Sequence, residues 1–360
     1  MKQFWSGKRV LLTGHTGFKG AWLSLWLSSM GAKVHGLALD PPSNPNLYEI
    51  AKVADLISSD SRIDIRNYES VLGLFEEVKP EVVFHLAAQS LVNYSYLHPI
   101  ETITTNVLGT ANILEASRAT KSVKVAVVIT TDKCYENREW IHPYREIDAL
   151  GGHDPYSSSK ACAELIVASW SKSYCLGKRA DLKIASARAG NVIGGGDWAN
   201  QRLIPDFIRA SNAGTSIDIR YPDSTRPWQH VLEPLYGYLL LAQSLASIDG
   251  EKFVGAWNFG PVIDSCKTVR EISGYLAAAL NVTVNMHSDA PEWHEAGELR
   301  LDSTKAYKLL NWHPIWGLDE TLHETVVWYQ QWFAKKDMQE YALGQIDRYS
   351  KKIKESARYD

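Results

Sequence analysis

Cysteine is scarce in this chain, with four among 360 residues, at positions 134, 162, 175 and 266. No two stand as C-x-x-C and no histidine pair completes a ligand set, which argues against a disulfide framework or a zinc site. Reduced thiols in a cytoplasmic protein are the reading. No apolar run reaches the ~20 residues that span a bilayer, and the opening MKQFWSGKRV lacks the apolar stretch of a signal peptide. Charge of one sign is missing as well: 38 Lys and Arg face 41 Asp and Glu, with the signs interspersed. That balance leaves no stripe for nucleic acid and no patch for a membrane surface. Repeats at solenoid spacing and low-complexity tracts are absent too.

What is present is an ordinary soluble composition, 45% hydrophobic and 22% charged, long enough for about two domains. Aromatics are plentiful, with 13 Trp and 17 Tyr. Packing in a core accounts for most of them, and stacking on a planar or sugar ligand is the alternative. Along the chain, β-rich runs alternate with helical periodicity. Strands are expected at 8–14, 32–40, 61–65, 81–87, 123–130 and 182–188, and helices at 18–31, 67–78, 100–119 and 156–176. Such alternation builds right-handed βαβ units, so the fold class is α/β, a doubly wound parallel sheet of Rossmann type. Residues 1–188 form the dinucleotide-binding domain in this reading. After 188 the pattern turns irregular, and 189–335 reads as a smaller mixed α/β substrate domain interleaved with the sheet. A charged helical segment, 336–360, closes the chain.

The first glycine loop, TGHTGFKG, sets Gly14, Gly17 and Gly20 between the first strand and the first helix. A pyrophosphate needs backbone that approaches without Cβ atoms, and helix N-terminal N–H groups aimed at it. Asp40 ends the second strand about 20 residues later, where a carboxylate holds a ribose diol and repels a 2′-phosphate. No Arg directly follows it, so the cofactor is read as NAD rather than NADP. Asp64 closes the third strand and is a candidate acceptor for the adenine edge. Further on, YSSSK spaces Tyr156 and Lys160 as i, i+4 on one helix face. A phenol of pKa ~10 becomes a usable base only beside positive charge, which the ammonium and a nicotinamide ring both supply.

Taken together, TGHTGFKG, HLAAQ (85–89), TNVLGT (105–110), YSSSK and RAGNVIGGG (188–196) resemble the extended short-chain dehydrogenase/reductase family, over nearly the whole chain to about 335. The resemblance implies Tyr156 as base, Lys160 on the nicotinamide ribose and Thr131 as hydrogen-bond partner of a sugar. It implies a cofactor lined by Gly14, Thr16, Gly17, Phe18, Gly20, Asp40, Asp64, Ile65, Leu86, Ala87, Ala88 and Asn106. Its substrates are nucleoside-diphosphate sugars, with Gln89, Ser90, Arg188, Asn191, Arg226 and Arg300 expected to hold one. A guanidinium fork suits phosphate oxygens, which supports Arg226 and Arg300. The resemblance also implies a homodimer or homotetramer joined through a four-helix interface, and no metal.

TTDKCY (130–135) follows the fifth strand. An epimerase of this kind needs only Tyr, Lys and a hydroxyl. A 4,6-dehydratase must also remove the C5 proton and protonate the departing C6 oxygen, which calls for an acid and a base just after Thr131. Asp132 suits the acid. Lys133 stands where related dehydratases carry glutamate, and an ammonium is a base only after losing its proton; its other role would be to stabilise an enolate by charge. TTDKCYEN, GGGDWA (194–199) and RPWQHVLEPLYGYL (226–239) resemble the branch that acts on CDP-glucose, which feeds dideoxy sugars of bacterial surface polysaccharide. An epimerase, a dehydratase for another nucleotide sugar, and a non-catalytic dinucleotide sensor are the competing readings.

Overall fold

The computed structural model describes residues 1–175, 179–219, 221–287 and 299–356. Six strands come first: β1 (Arg9–Thr13), β2 (Lys33–Ala38), β3 (Ser59–Arg62), β4 (Val82–His85), β5 (Val125–Ile129) and β6 (Lys183–Ala189). A later strand, Gly255–Phe259, joins them in one sheet ordered Gly255–Phe259, β6, β5, β4, β1, β2, β3. Every pairing in it is parallel. β4 and β5 read VVFH and VAVVI and are buried throughout, as strands covered on both faces must be. The doubly wound α/β sheet expected from the sequence is therefore found. Its strand order reverses between β1 and β4, and the carboxyl ends of those strands open the crevice where such sheets bind ligands.

Alternate residues of each strand feed opposite layers. Val10, Leu12, Val82, Phe84, Val125 and Val127 join one cluster, whereas Leu11, Val83, Ala126 and Val128 join the other. The first cluster contains all six tryptophans that are fully buried among the described residues, Trp5, Trp22, Trp26, Trp257, Trp312 and Trp328. It runs from the helix Phe18–Ser29 through Leu232–Leu245 to the C-terminal helix Met338–Ser356. These tryptophans fill the core rather than stack on a ligand. The C-terminal helix turns Met338, Ala342, Ile346 and Tyr349 inward; residues 357–360 of the segment anticipated there lie outside the described residues.

Two elements depart from the sequence pattern. β3 occupies 59–62 rather than 61–65, because its pairing partner β2 ends at Ala38, opposite Arg62. The helix read at 100–119 is Pro99–Ile103, a π turn at Thr104–Leu108, and Gly109–Ala119. A π turn admits one extra residue, which a 3.6-residue period does not reveal.

Candidate active site

The crevice begins at the β1 turn. Gly14 has φ +74°, and a Cβ there would lie 2.7 Å from the Ala87 nitrogen. A Cβ on Gly20 would lie 2.1 Å from the Gly14 carbonyl oxygen. Gly17 caps the helix Phe18–Ser29, so this cradle of bare backbone at a helix N-terminus fits a dinucleotide pyrophosphate. The Thr16 hydroxyl donates to the Leu39 carbonyl at 3.0 Å and ties the loop to the end of β2. Asp40 follows, with its carboxylate exposed and Arg62 Nε 3.4 Å away. Local sequence gave no arginine beside Asp40; the pairing of Ala38 with Arg62 brings one in from β3.

On the β4 side, Leu86, Ala87, Ala88 and Gln89 are half-buried and Ser90 is exposed. Asn106, buried in the π turn, clamps this stretch. Its Oδ1 accepts from Gln89 N at 2.9 Å, and its Nδ2 donates to Gln89 O at 2.9 Å and to Ser159 Oγ at 2.8 Å. Ser159 Oγ donates to Tyr156 O at 2.7 Å. An element of irregular pitch thus links the β4 turn to the helix Pro155–Tyr174.

That helix starts with Asp154 as N-cap, accepting from Ser157 N at 2.9 Å, and with Pro155 in its first turn. Tyr156, Lys160 and Glu164 fall at four-residue spacing and are all buried. Lys160 Nζ donates to the Ile129 carbonyl at 3.2 Å, and burial lowers its pKa to about 8 against the pull of Glu164. Tyr156 hydrogen-bonds Thr131. Thr131 Oγ1 donates to Asp132 Oδ1 at 2.9 Å, and Asp132 sits so close to Gly190 that a Cβ there would come within 2.8 Å of its Oδ2. The structure therefore brings Thr131, Asp132, Tyr156 and Lys160 together at the carboxyl end of β5. Lys133 N donates to Thr131 Oγ1 at 3.3 Å, and its side chain is half-buried beside Asp132.

Burial pushes the Asp132 carboxyl above the usual carboxylate range, against Lys133, the Thr131 hydrogen bond and Lys19. Burial also carries Tyr156 up to about 12, against the Thr131 hydrogen bond and Arg202. Burial thus outweighs the hydrogen bond and the positive charge beside the phenol, where the sequence pointed to positive charge lowering it.

One expectation is corrected. Arg188, read as a substrate ligand, is a core residue: Nη2 donates to Glu164 Oε2 at 2.7 Å and Nη1 to the Tyr135 hydroxyl at 2.7 Å. Glu164 also accepts from Ser186 at 2.7 Å and from Thr130, which uses up the face where a phosphate would approach. Asp64, partly exposed just past β3, pairs with Arg66 through Nη2 at 2.6 Å and its backbone N–H at 2.9 Å. Ile65 packs its side chain on Gly109 and belongs to the core. Two of the remaining substrate candidates flank the cluster: a Cβ on Gly190, next to Asn191, would meet Asp132 Oδ2 at 2.8 Å and Pro227, next to Arg226, at 3.1 Å. Asn191 is half-buried just past β6, and Arg226 is buried on the short strand Thr225–Pro227 with Nη1 on the Thr225 carbonyl at 3.0 Å. Arg300 is half-buried, its carbonyl accepting from Tyr144 N at 2.8 Å.

Sequence reasoning missed Lys19 and Arg202. Lys19 stands in the glycine loop, and burial with the neighbouring Arg202 charge lowers it to about 8 while Asp132 pulls it upward. A cation inside a motif that needs only small residues was a readable signal. Arg202, held by Asp197 at 2.9 Å, acts on both Tyr156 and Lys19 from a loop that carries no such signal. Among the described residues, no group of three or more His, Cys, Asp and Glu could hold a metal ion, and no helix is long and apolar enough to cross a membrane.

A doubly wound sheet with a Tyr-Lys helix facing a glycine cradle defines a dinucleotide-dependent enzyme of the short-chain dehydrogenase/reductase class. The family profile described as GDP-mannose 4,6 dehydratase matches residues 11–325, and the chain belongs to that family. It is 49% identical over 348 residues, 94% of each chain, to the CDP-glucose 4,6-dehydratase of Salmonella typhimurium. It is 28% identical to the UDP-glucose 4-epimerase of Mycolicibacterium smegmatis, over 89% of this chain and 98% of that one. Among solved structures, the dTDP-glucose 4,6-dehydratase DesIV of Streptomyces venezuelae, with NAD and TYD bound, superposes with a TM-score of 0.76 at 24% identity, covering 90% of this chain and 97% of that one. The UDP-glucose 4-epimerase of Thermotoga maritima gives 0.77 at 24% identity, covering 90% and 99%. Both share the fold.

Proposed function

We propose that the protein is a hydro-lyase that converts CDP-glucose to CDP-4-dehydro-6-deoxyglucose and water, as its Salmonella relative is named for doing. The observation that carries this reading beyond an epimerase is Asp132, a buried carboxyl whose pKa burial raises, hydrogen-bonded to Thr131 in the Tyr156 cluster. Oxidation and re-reduction at one carbon have no use for a proton donor there, whereas loss of the C6 hydroxyl requires one.

The glycine cradle would hold NAD, which would supply the hydride-transfer chemistry of the reaction. Tyr156 removes the C4 hydroxyl proton, oriented by Thr131, with Lys160 and Arg202 as the cations that favour its phenolate. Ketone formation makes the C5 hydrogen acidic; Lys133, as a neutral amine, would take that proton and return it to C5 when C6 is reduced, or would stabilise the enolate by charge while another group moves the proton. Asp132 protonates the departing C6 oxygen, so C–O cleavage releases water. Gly14, Thr16, Gly17, Phe18, Gly20 and Asp40 hold the dinucleotide, with Leu86, Ala87 and Ala88 beside it; Gln89, Ser90, Asn191, Arg226 and Arg300 serve the nucleotide sugar. An apolar face formed by the exposed side chains of Leu97, Ile100, Ile103, Leu108 and Leu165 suits packing against a second copy.

The test is incubation of the protein and NAD with CDP-glucose. A product lighter by one water, with the alkali-induced absorbance of a 4-keto-6-deoxy sugar, is expected. No loss of water, with UDP-glucose converted to UDP-galactose instead, would overturn the reading.

A further inference from the structure

One buried group of the crevice has no part in the scheme above. His85 ends β4, is 3% exposed, and pairs in register with Thr13 of β1. Its Nδ1 lies 2.7 Å from Thr13 Oγ1 and its Nε2 lies 3.0 Å from Thr110 Oγ1.

The protons of this network follow from the partners. The Thr110 hydroxyl donates to the Asn106 carbonyl at 2.7 Å, and a carbonyl can only accept. Thr110 Oγ1 therefore offers a lone pair to His85, and Nε2 must carry the proton. On the other side, Thr13 Oγ1 accepts from the N–H groups of Leu86 and Ala87, both at 3.1 Å. Its own proton is left for Nδ1. A charged imidazole would give Thr13 a third donor and leave its hydroxyl proton with nowhere to go. Burial, together with Lys160, disfavours the charged ring too and lowers its pKa to about 3. Each donor in the set finds an acceptor in one arrangement only.

That arrangement spans the site. One end is the Leu86–Ala88 turn, whose Ala87 nitrogen faces Gly14. The other is Asn106, which holds Gln89 and, through Ser159, the backbone of Tyr156. We infer that His85, fixed as the neutral Nε2–H tautomer, is a positioning residue: it makes the cofactor-side turn of β4 and the anchor of the Tyr156 helix a single unit. Hydride and proton leave the same sugar carbon and its oxygen, so the groups that receive them must be set relative to each other. A displacement of about 1 Å between such groups costs up to 10²-fold in rate.

The inference rests on the proposed oxidation of CDP-glucose for its kinetic test. The hydroxyls of Thr13 and Thr110 meet opposite nitrogens of the ring, so a cycle of Thr13→Val and Thr110→Val probes what passes through it. The readout is formation of reduced nicotinamide in a single turnover with CDP-glucose and NAD saturating. Each single variant should slow it roughly 10-fold, and the double variant by about the same factor, because either one alone breaks the unit. Thr110→Ser should restore the rate. A double variant slowed by the product of the single effects would overturn the inference. If the unmodified protein forms no reduced nicotinamide, the functional reading falls instead. The inference then stands or falls on ¹⁵N spectra of histidine-labelled protein. A His85 signal protonated at Nε2, bare at Nδ1 and unchanged from pH 5 to 9 is expected; the other tautomer, or a titration within that range, would overturn it.

Discussion

A carboxyl that must give up a proton near neutral pH has to hold one first. Burial raises the Asp132 carboxyl in that direction, and Gly190 leaves it the space. Asp132→Asn keeps the size and the hydrogen bond but removes the proton, so binding of NAD and oxidation at C4 should survive while loss of water slows by about 10²- to 10⁴-fold. Single-turnover spectra should then show reduced nicotinamide building up rather than passing. Prompt turnover by this variant would take Asp132 out of the acid role. Such a residue was legible beforehand because its chemistry depends on type and spacing: Thr131, Asp132, Tyr156 and Lys160 occur in two short runs that the fold lays side by side. Lys19 and Arg202 were not, since what matters about them is which charges the folded chain sets beside them.

The helix Pro155–Tyr174 is held in place by its third inward residue. Glu164, one turn beyond Lys160, accepts from Thr130, Ser186 and Arg188 and so joins the helix to the ends of both β5 and β6. Arginine and carboxylate are each 3% exposed, so removing the cation leaves a buried charge without its counterion. Arg188→Met should destabilise the fold by about 3–5 kcal/mol in urea unfolding, with the KM for CDP-glucose unchanged. A raised KM at undiminished stability would restore Arg188 to the substrate. The sequence could not decide this, because Arg188 was read from the motif around it while its partners stand 24 and 53 residues away, at Glu164 and Tyr135. The π turn was hidden for a related reason. Its extra residue is kept by what Asn106 reaches across the crevice, and nothing in the local apolar period records it.

Across the whole molecule, one buried carboxylate ties the sheet's helical cover to the end of the chain. Glu233, in the first turn of Leu232–Leu245, accepts from Ile315 N at 2.9 Å, Trp316 N at 2.8 Å and the Tyr349 hydroxyl at 2.7 Å. The charged and titratable groups that act on it are Tyr349, Tyr236, Tyr307 and Glu320, none of them a cation, and burial pushes it up to about 7. A carboxyl raised on folding stabilises most below its unfolded pKa of about 4.3, and that stabilisation is lost as pH rises through its folded value. The shift corresponds to about 4 kcal/mol in full, of which about 1 kcal/mol falls between pH 6 and 8. His85 and His230 work in the opposite sense: burial lowers both to about 3, so the unfolded chain binds the extra protons and stability climbs with pH up to about 6.5. Opposed slopes of this kind cannot be separated in one protein, but they can by difference. Glu233→Gln removes only the carboxyl's titration, so urea unfolding of both proteins from pH 5 to 8 should show the stability of the unmodified chain falling relative to the variant as pH rises. A difference that stays constant over that range would mean that Glu233 does not titrate there, and that its three hydrogen bonds outweigh its burial.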